Sequence, residues 1–175
     1  AGMGDNLVFE DVHVLDLTTL TWRDMTPSMK VDSDILWRRV AHCAVPHPSD
    51  PTTILIHGGY TFDDHTDVGR YEGKLFALNT KTCVAKELHP KGVPPQPRGY
   101  HDMVVVGLRL VVIGGKDSTD ERLVGGNDLV GVYDTERNSW EHPQCIGTAM
   151  TPRTKLAAAT IEFNSRSSEG VYRFL

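Results

Sequence analysis

The chain has 175 residues, with 18 basic against 23 acidic for a net charge of -5, and 39% of it is apolar. Such a composition is that of an ordinary folded domain able to bury a core, which excludes a disordered or collagen-like chain. The basic residues are scattered, Arg38-Arg39 being the longest basic run, so nothing suggests nucleic acid; apolar runs such as residues 110–113 are too short to cross a bilayer.

In chain order, the first strand signal is residues 10–16, ending in Asp16, with Trp22 six residues later. Arg39-Val40-Ala41-His42 then opens a second stretch. It continues through Ile54-Leu55-Ile56-His57-Gly58-Gly59 and closes in Lys74-Leu75-Phe76-Ala77-Leu78-Asn79. Ala85 holds the place where Trp22 sits after Asp16. Arg98-Gly99-Tyr100-His101 starts the same order again, through an apolar run ending in Gly114-Gly115, a strand ending in Tyr133-Asp134, and Trp140 six residues on. Pro152-Arg153 begins it once more, with strand signals at 156–163 and 170–175. Leu156-Ala157-Ala158-Ala159 also has good helix propensity, but the repeat register makes it a strand. The spacings agree: His42 to His101 is 59, Gly59 to Gly115 is 56 and Asn79 to Asp134 is 55.

Short β-branched runs at this period, separated by Gly, Asp, Pro and Thr turns, read as four-stranded antiparallel units of an all-β propeller. The order of motifs resembles the kelch repeat over nearly all of the chain. That resemblance implies half a blade in residues 1–25, full blades in 38–88 and 98–142, and the first half of a blade in 152–175. Three repeat equivalents are fewer than the four to eight blades of ordinary propellers, so the reading is a fragment of about three repeats. Pairing of residues 7–15 with 170–175 would instead close a three-bladed ring. Within the repeat, Gly58, Gly59, Gly114 and Gly115 supply positive φ and close approach. Trp22 and Trp140 fill the gaps between blades, and His42 and His101 are structural.

Strand alternation places the b-to-c segments (60–73 and 116–126) and the d-to-a connections (25–38, 89–97 and 142–152) on one face. Arg39, Arg98 and Arg153 open the inner strands there, and long loops on a rigid scaffold are where binding tends to sit. The candidate partner-binding residues are therefore Arg39, Arg98, Arg153, Tyr60, Asp63, Asp64, His65, Asp117, Asp120, Glu121 and Arg122. An arginine ring of this kind suits a peptide or an acidic partner.

No catalytic motif or cofactor site is legible. Asp63-Asp64-His65-Thr66-Asp67 matches a calcium loop only weakly, since the distal Glu and fixed spacing are missing. Cys43, Cys83 and Cys145 form no C-x-x-C pair and no N-x-[ST] sequon occurs, which favours a reducing compartment, cytoplasmic or nuclear. The expected function is a non-enzymatic protein-interaction scaffold. By resemblance its partner is a ubiquitin-ligase substrate, a cytoskeletal protein or a small GTPase. The alternative is part of an enzymatic propeller, a galactose-oxidase-like oxidase or a specifier-type lyase.

Overall fold

The alternating apolar runs fold as strands, nearly all paired antiparallel, in the computed structural model, which describes residues 2–4, 7–31, 38–62, 69–117, 122–148, 150–163 and 171–174. The fold class is the expected one, all-β: the described residues contain no α-helix, only 3-10 turns at Thr26–Ser28 and Gly126–Asp128. Strand β1 (Gly2–Gly4) pairs with β2 (Leu7–Phe9), and β3 (His13–Asp16) with β4 (Thr21–Asp24). Two short strands follow, β5 (Lys30–Val31) and β6 (Arg39–Val40). Next come β7 (Cys43–Pro46), β8 (Thr53–His57), β9 (Tyr60–Phe62), β10 (Gly69–Tyr71), β11 (Leu75–Asn79) and β12 (Val84–Leu88). The second full unit is β13 (Asp102–Val106), β14 (Arg109–Ile113), β15 (Val130–Asp134) and β16 (Ser139–Glu141), followed by the hairpin of β17 (Thr160–Phe163) and β18 (Val171–Phe174).

The two units make sheets of order β5-β12-β11-β8-β7 and β13-β14-β15-β16. Their registers superpose: Leu75 faces His57 in the first as Val130 faces Ile113 in the second, and Ala85 faces Leu78 as Trp140 faces Tyr133. Side chains alternate across each sheet. Leu55 and Leu75 of the first sheet meet Met103, Leu110, Val112, Tyr133 and Trp140 of the second in one core. The opposite face of the first sheet buries Ile56, Phe76, Leu78 and Ala85, and that of the second buries Val104, Val111, Ile113 and Val132 against Leu156 and Ala158.

One turn recurs three times. The side chain of Asp16 accepts the amides of Thr18 and Thr19, that of Asn79 those of Lys81 and Thr82, and that of Asp134 those of Glu136 and Arg137. Each turn then passes through a left-handed residue: Leu20, Cys83 and Asn138 have φ of 53°, 56° and 49°. A short carboxylate or amide that caps its own turn is what makes Asp and Asn suitable there.

Three local expectations change. Residues 60–73 are not simply a loop, because the β-forming triplets of β9 and β10 pair as a ribbon whose free edge takes up β6. The strand expected over 156–163 starts only at Thr160. Upstream of it, Leu156 and Ala158 pack on the second sheet, and the Ala158 amide donates to the Asp102 carboxylate. The connection before the first full unit is not free either. Its β5 lies parallel to the outer edge of β12, and Lys91 sits against Ser139 of β16 in the same way. The terminal strands pair within their own hairpins, β2 with β1 and β18 with β17.

Candidate functional site

The arginine, the Gly-Gly and the next arginine build one joint between successive sheets. Arg39 donates from Nη1 to the Gly58 carbonyl at 2.9 Å, and Arg98 to the Gly114 carbonyl at 3.0 Å. The amides of Gly59 and Gly115 donate across to the carbonyls of Arg98 and Arg153, both at 2.9 Å. A second bond completes each joint: Tyr100 N–H to the Ala41 carbonyl, and Lys155 N–H to the Tyr100 carbonyl. Ala41, Tyr100 and Lys155, each two residues after its arginine, share a left-handed backbone with φ of 57°, 54° and 54°.

The glycines are required twice over. Gly58 and Gly114 have φ of 66° and 64°, and a Cβ on them would lie 2.6 Å from the Arg98 carbonyl oxygen and 2.7 Å from that of Arg153.

Arg39 and Arg98 are thus buried, 3% and 0% exposed. Burial pulls both guanidiniums down to about 10, which leaves them charged at neutral pH; the charges of Glu72 and Glu87 oppose the fall at Arg39, and those of Asp128 and Asp117 oppose it at Arg98. The Arg39 guanidinium also lies 4.6 Å from the centre of the Phe76 ring. Arg153 is exposed and turns back onto the Thr151 carbonyl and hydroxyl. Two of the three expected arginines therefore direct their guanidiniums into the fold and do not display them.

Histidines fill the same joint. His57 Nδ1 lies 3.2 Å from His101 Nε2, and the His57 ring packs 5.4 Å from Trp140. Burial keeps His57 well below the usual imidazole range and lowers His101 to about 3 and His42 to about 4, so all three are neutral at pH 7. The Cys43 thiol donates to the His101 carbonyl, and burial, with Asp102 beside it, pushes it up to about 12. Trp140 is 5% exposed whereas Trp22 is 67% exposed, because the core face of the second sheet abuts the first and nothing comparable covers Trp22 among the described residues.

The surface above these joints is aromatic and cationic. Tyr60 and Tyr71 stack edge-on at 5.0 Å, and Tyr71 lies under Gly99, where a Cβ would meet its ring. Tyr100 follows directly, with Lys116 Nζ 4.9 Å and Lys155 Nζ 5.5 Å from its ring centre. All three tyrosines are half-buried. Beside them a cleft of about 430 Å³ opens between the two sheets, bounded by Glu72, Glu87, Pro95, Pro97 and Trp140. Asp117 is buried and bonds the exposed Arg122 at 3.1 Å. Asp63, Asp64, His65, Asp120 and Glu121 lie outside the described residues.

Sequence reading missed Tyr71, Tyr100, Lys116 and Lys155. The available signal was positional: Tyr60 and Lys116 each follow a Gly-Gly, and Tyr100 and Lys155 each stand two places after a repeat arginine.

Residues 1–166 match the KLHDC2/KLHL20/DRC7 Kelch-repeats domain. The chain belongs to the kelch-repeat family. Among relatives of this kelch chain, "Acyl-CoA-binding domain-containing protein 5" of Arabidopsis thaliana is 31% identical over 156 residues, covering 85% of the chain and 22% of the relative. "Rab9 effector protein with kelch motifs" of Bos taurus is 28% identical over 154 residues, covering 87% and 37%. "tRNA wybutosine-synthesizing protein 2/3/4" of Oryza sativa subsp. japonica is 30% identical over 122 residues, covering 66% and 11%. The kelch chain thus spans between about a tenth and two fifths of these relatives. Among the described residues no three His, Cys, Asp or Glu side chains converge as metal ligands, and no helix is long and apolar enough to cross a membrane.

Proposed function

We propose that this kelch chain is a non-catalytic protein-interaction module that engages its partner through the face above the joints. The observation that carries this reading is the run of half-buried tyrosines, Tyr60, Tyr71 and Tyr100, bordered by Lys116 and Lys155. Large rings held rigidly with one side in solvent are the composition of interface hot spots. The rigid joint beneath them keeps their ordering cost on binding small. The kelch-motif Rab9 effector among the relatives supports a small GTPase as one partner class, with ubiquitin-ligase substrates and cytoskeletal proteins as the others. Three free thiols, Cys43, Cys83 and Cys145, fit action in a reducing compartment, cytoplasmic or nuclear.

A photo-crosslinking amino acid at Tyr60 or Tyr100, compared with one at Thr82 or Arg137 in the turns at the opposite strand ends, tests the face. Capture of a small GTPase from cell extract at the first pair alone supports the reading, and equal capture at both pairs rejects it. Stoichiometric copper or iron in the purified protein would favour an enzymatic propeller instead.

A further inference from the structure

Thr26 and Thr151 are the two hydroxyl residues of the chain that precede a proline, and the fold treats them oppositely. Thr26 opens a 3-10 turn and is half-buried. Its hydroxyl accepts the Val12 amide at 2.9 Å, and its own amide donates to the Asp24 carboxylate at 2.9 Å. A further anion there would lose the Val12 bond and meet the charge of Asp24. Thr151 is exposed, as are Pro152 and Arg153, in the connection between β16 and β17. Among the described residues, 142–152 make no backbone-to-backbone hydrogen bond, and the joint takes hold only from the Arg153 carbonyl onward. A stretch held in this way can be drawn out into the extended form that a modifying enzyme grips.

Arg153 supplies the other half of the site. Its Nε donates to the Thr151 carbonyl at 3.2 Å and its Nη2 to the Thr151 hydroxyl at 3.0 Å. The carbonyl bond has a counterpart in the preceding repeat, where Arg98 Nε donates to the Gln96 carbonyl at 3.0 Å. The hydroxyl bond has none there, because Gln96 stands in the place of Thr151 and Arg98 Nη1 is committed to the Gly114 carbonyl.

We infer that Thr151 is a phosphorylation site for a proline-directed protein kinase, with Arg153 as the receiver of the phosphate. The γ-phosphoryl group of ATP passes to the threonine Oγ1. The bond from its phosphorus to the β,γ-bridging oxygen breaks, an Oγ1–P bond forms, ADP leaves with that oxygen, and the hydroxyl proton goes to the kinase's base. The phosphate adds about two negative charges at pH 7, and a guanidinium already on the hydroxyl follows it outward as a charge-assisted pair. Next along the chain, the Thr154 hydroxyl and the Lys155 amide bond the Tyr100 carbonyl. The new charge therefore arrives beside the proposed interaction face, although the site itself stands whether or not that face binds.

In the test, the folded full chain is incubated with a purified mitogen-activated protein kinase, ATP and Mg²⁺, and the product is read by mass spectrometry. A single phosphate on Thr151 is expected. Thr151→Ala is expected to cut incorporation at least about tenfold, and Thr26→Ala to leave it unchanged. Circular dichroism of Thr151→Ala should match that of the parent chain, because the side chain is exposed. Phosphorus NMR titration then reads the arginine. The second ionisation of the phosphate should fall below its ordinary value of about 6. Arg153→Gln, which keeps the backbone joint, should raise it by about half a pH unit. No incorporation at Thr151, or as much at Thr26, overturns the acceptor site. The same ionisation in the parent and in Arg153→Gln overturns the role of Arg153.

Discussion

Arg98 is the residue at which two physical roles compete. A guanidinium at the mouth of an inner strand can face a ligand, or it can satisfy carbonyls that the Gly-Gly turn leaves without a partner. Here the second role prevails, with Nη1 on the Gly114 carbonyl and Nε on the Gln96 carbonyl. Arg98→Ala leaves both oxygens without that donor and opens a cavity, so it is expected to lower stability by on the order of 3 kcal/mol. Urea denaturation measures this, and an unchanged midpoint would assign the side chain to the surface. The histidines make a second prediction. Their folded values lie below the ordinary 6.5, so the unfolded chain binds protons more readily and acid favours unfolding. Stability should be level above about pH 7 and fall below about 6.5, by up to about 1.4 kcal/mol per pH unit for each histidine, continuing toward pH 3–4. His57→Ile and His101→Leu, which borrow the residues found at these places in other repeats, should flatten the slope in urea titrations at several pH values.

The strands themselves carry a second contrast. Trp140 and Ala85 occupy one register position in successive sheets, and each is buried, 5% and 1% exposed. Trp140→Ala should destabilise by about 3–5 kcal/mol through the cavity it leaves among Leu55, Leu75 and Tyr133. Trp22→Ala should change stability by less than about 0.5 kcal/mol, because that ring is largely in solvent already. Matched urea curves compare them, and equal losses would contradict the packing described. Strands of this kind are legible in the sequence because alternation, Gly-Gly and the Asp or Asn turns all act within a few residues. The ribbon of β9 and β10 and the edge strand β5 are less so, since each depends on an edge supplied by a distant segment. The candidate site divides the same way. Repeat register placed Arg39, Arg98 and Arg153 at strand starts, but which way a guanidinium turns depends on carbonyls many residues away. Tyr100 and Lys116 carry no loop signature, and become conspicuous only when the joint shows that their slots leave the side chain free to vary.

Across the whole molecule, cooperativity runs through the joints. Gly114 has φ 64°, and a Cβ there would lie 2.7 Å from the Arg153 carbonyl oxygen and 2.8 Å from Cδ2 of Leu156. Gly114→Ala should loosen the junction at Arg153 while sparing the first unit, so unfolding should change from one transition to two. Tryptophan fluorescence together with circular dichroism would resolve them, and a single coincident transition shifted as a whole would show that the units unfold only as a block. The edge pairing of Lys30–Val31 with β12, and of Lys91 with Ser139, has a consequence for biosynthesis. Each connecting segment is made before the sheet whose last strand will cover it, so every unit is clasped shut by residues of its own stretch of chain. A nascent chain leaving the ribosome can then finish one unit as soon as its fourth strand emerges, with the outer edge of that strand met at once by the segment that precedes the unit.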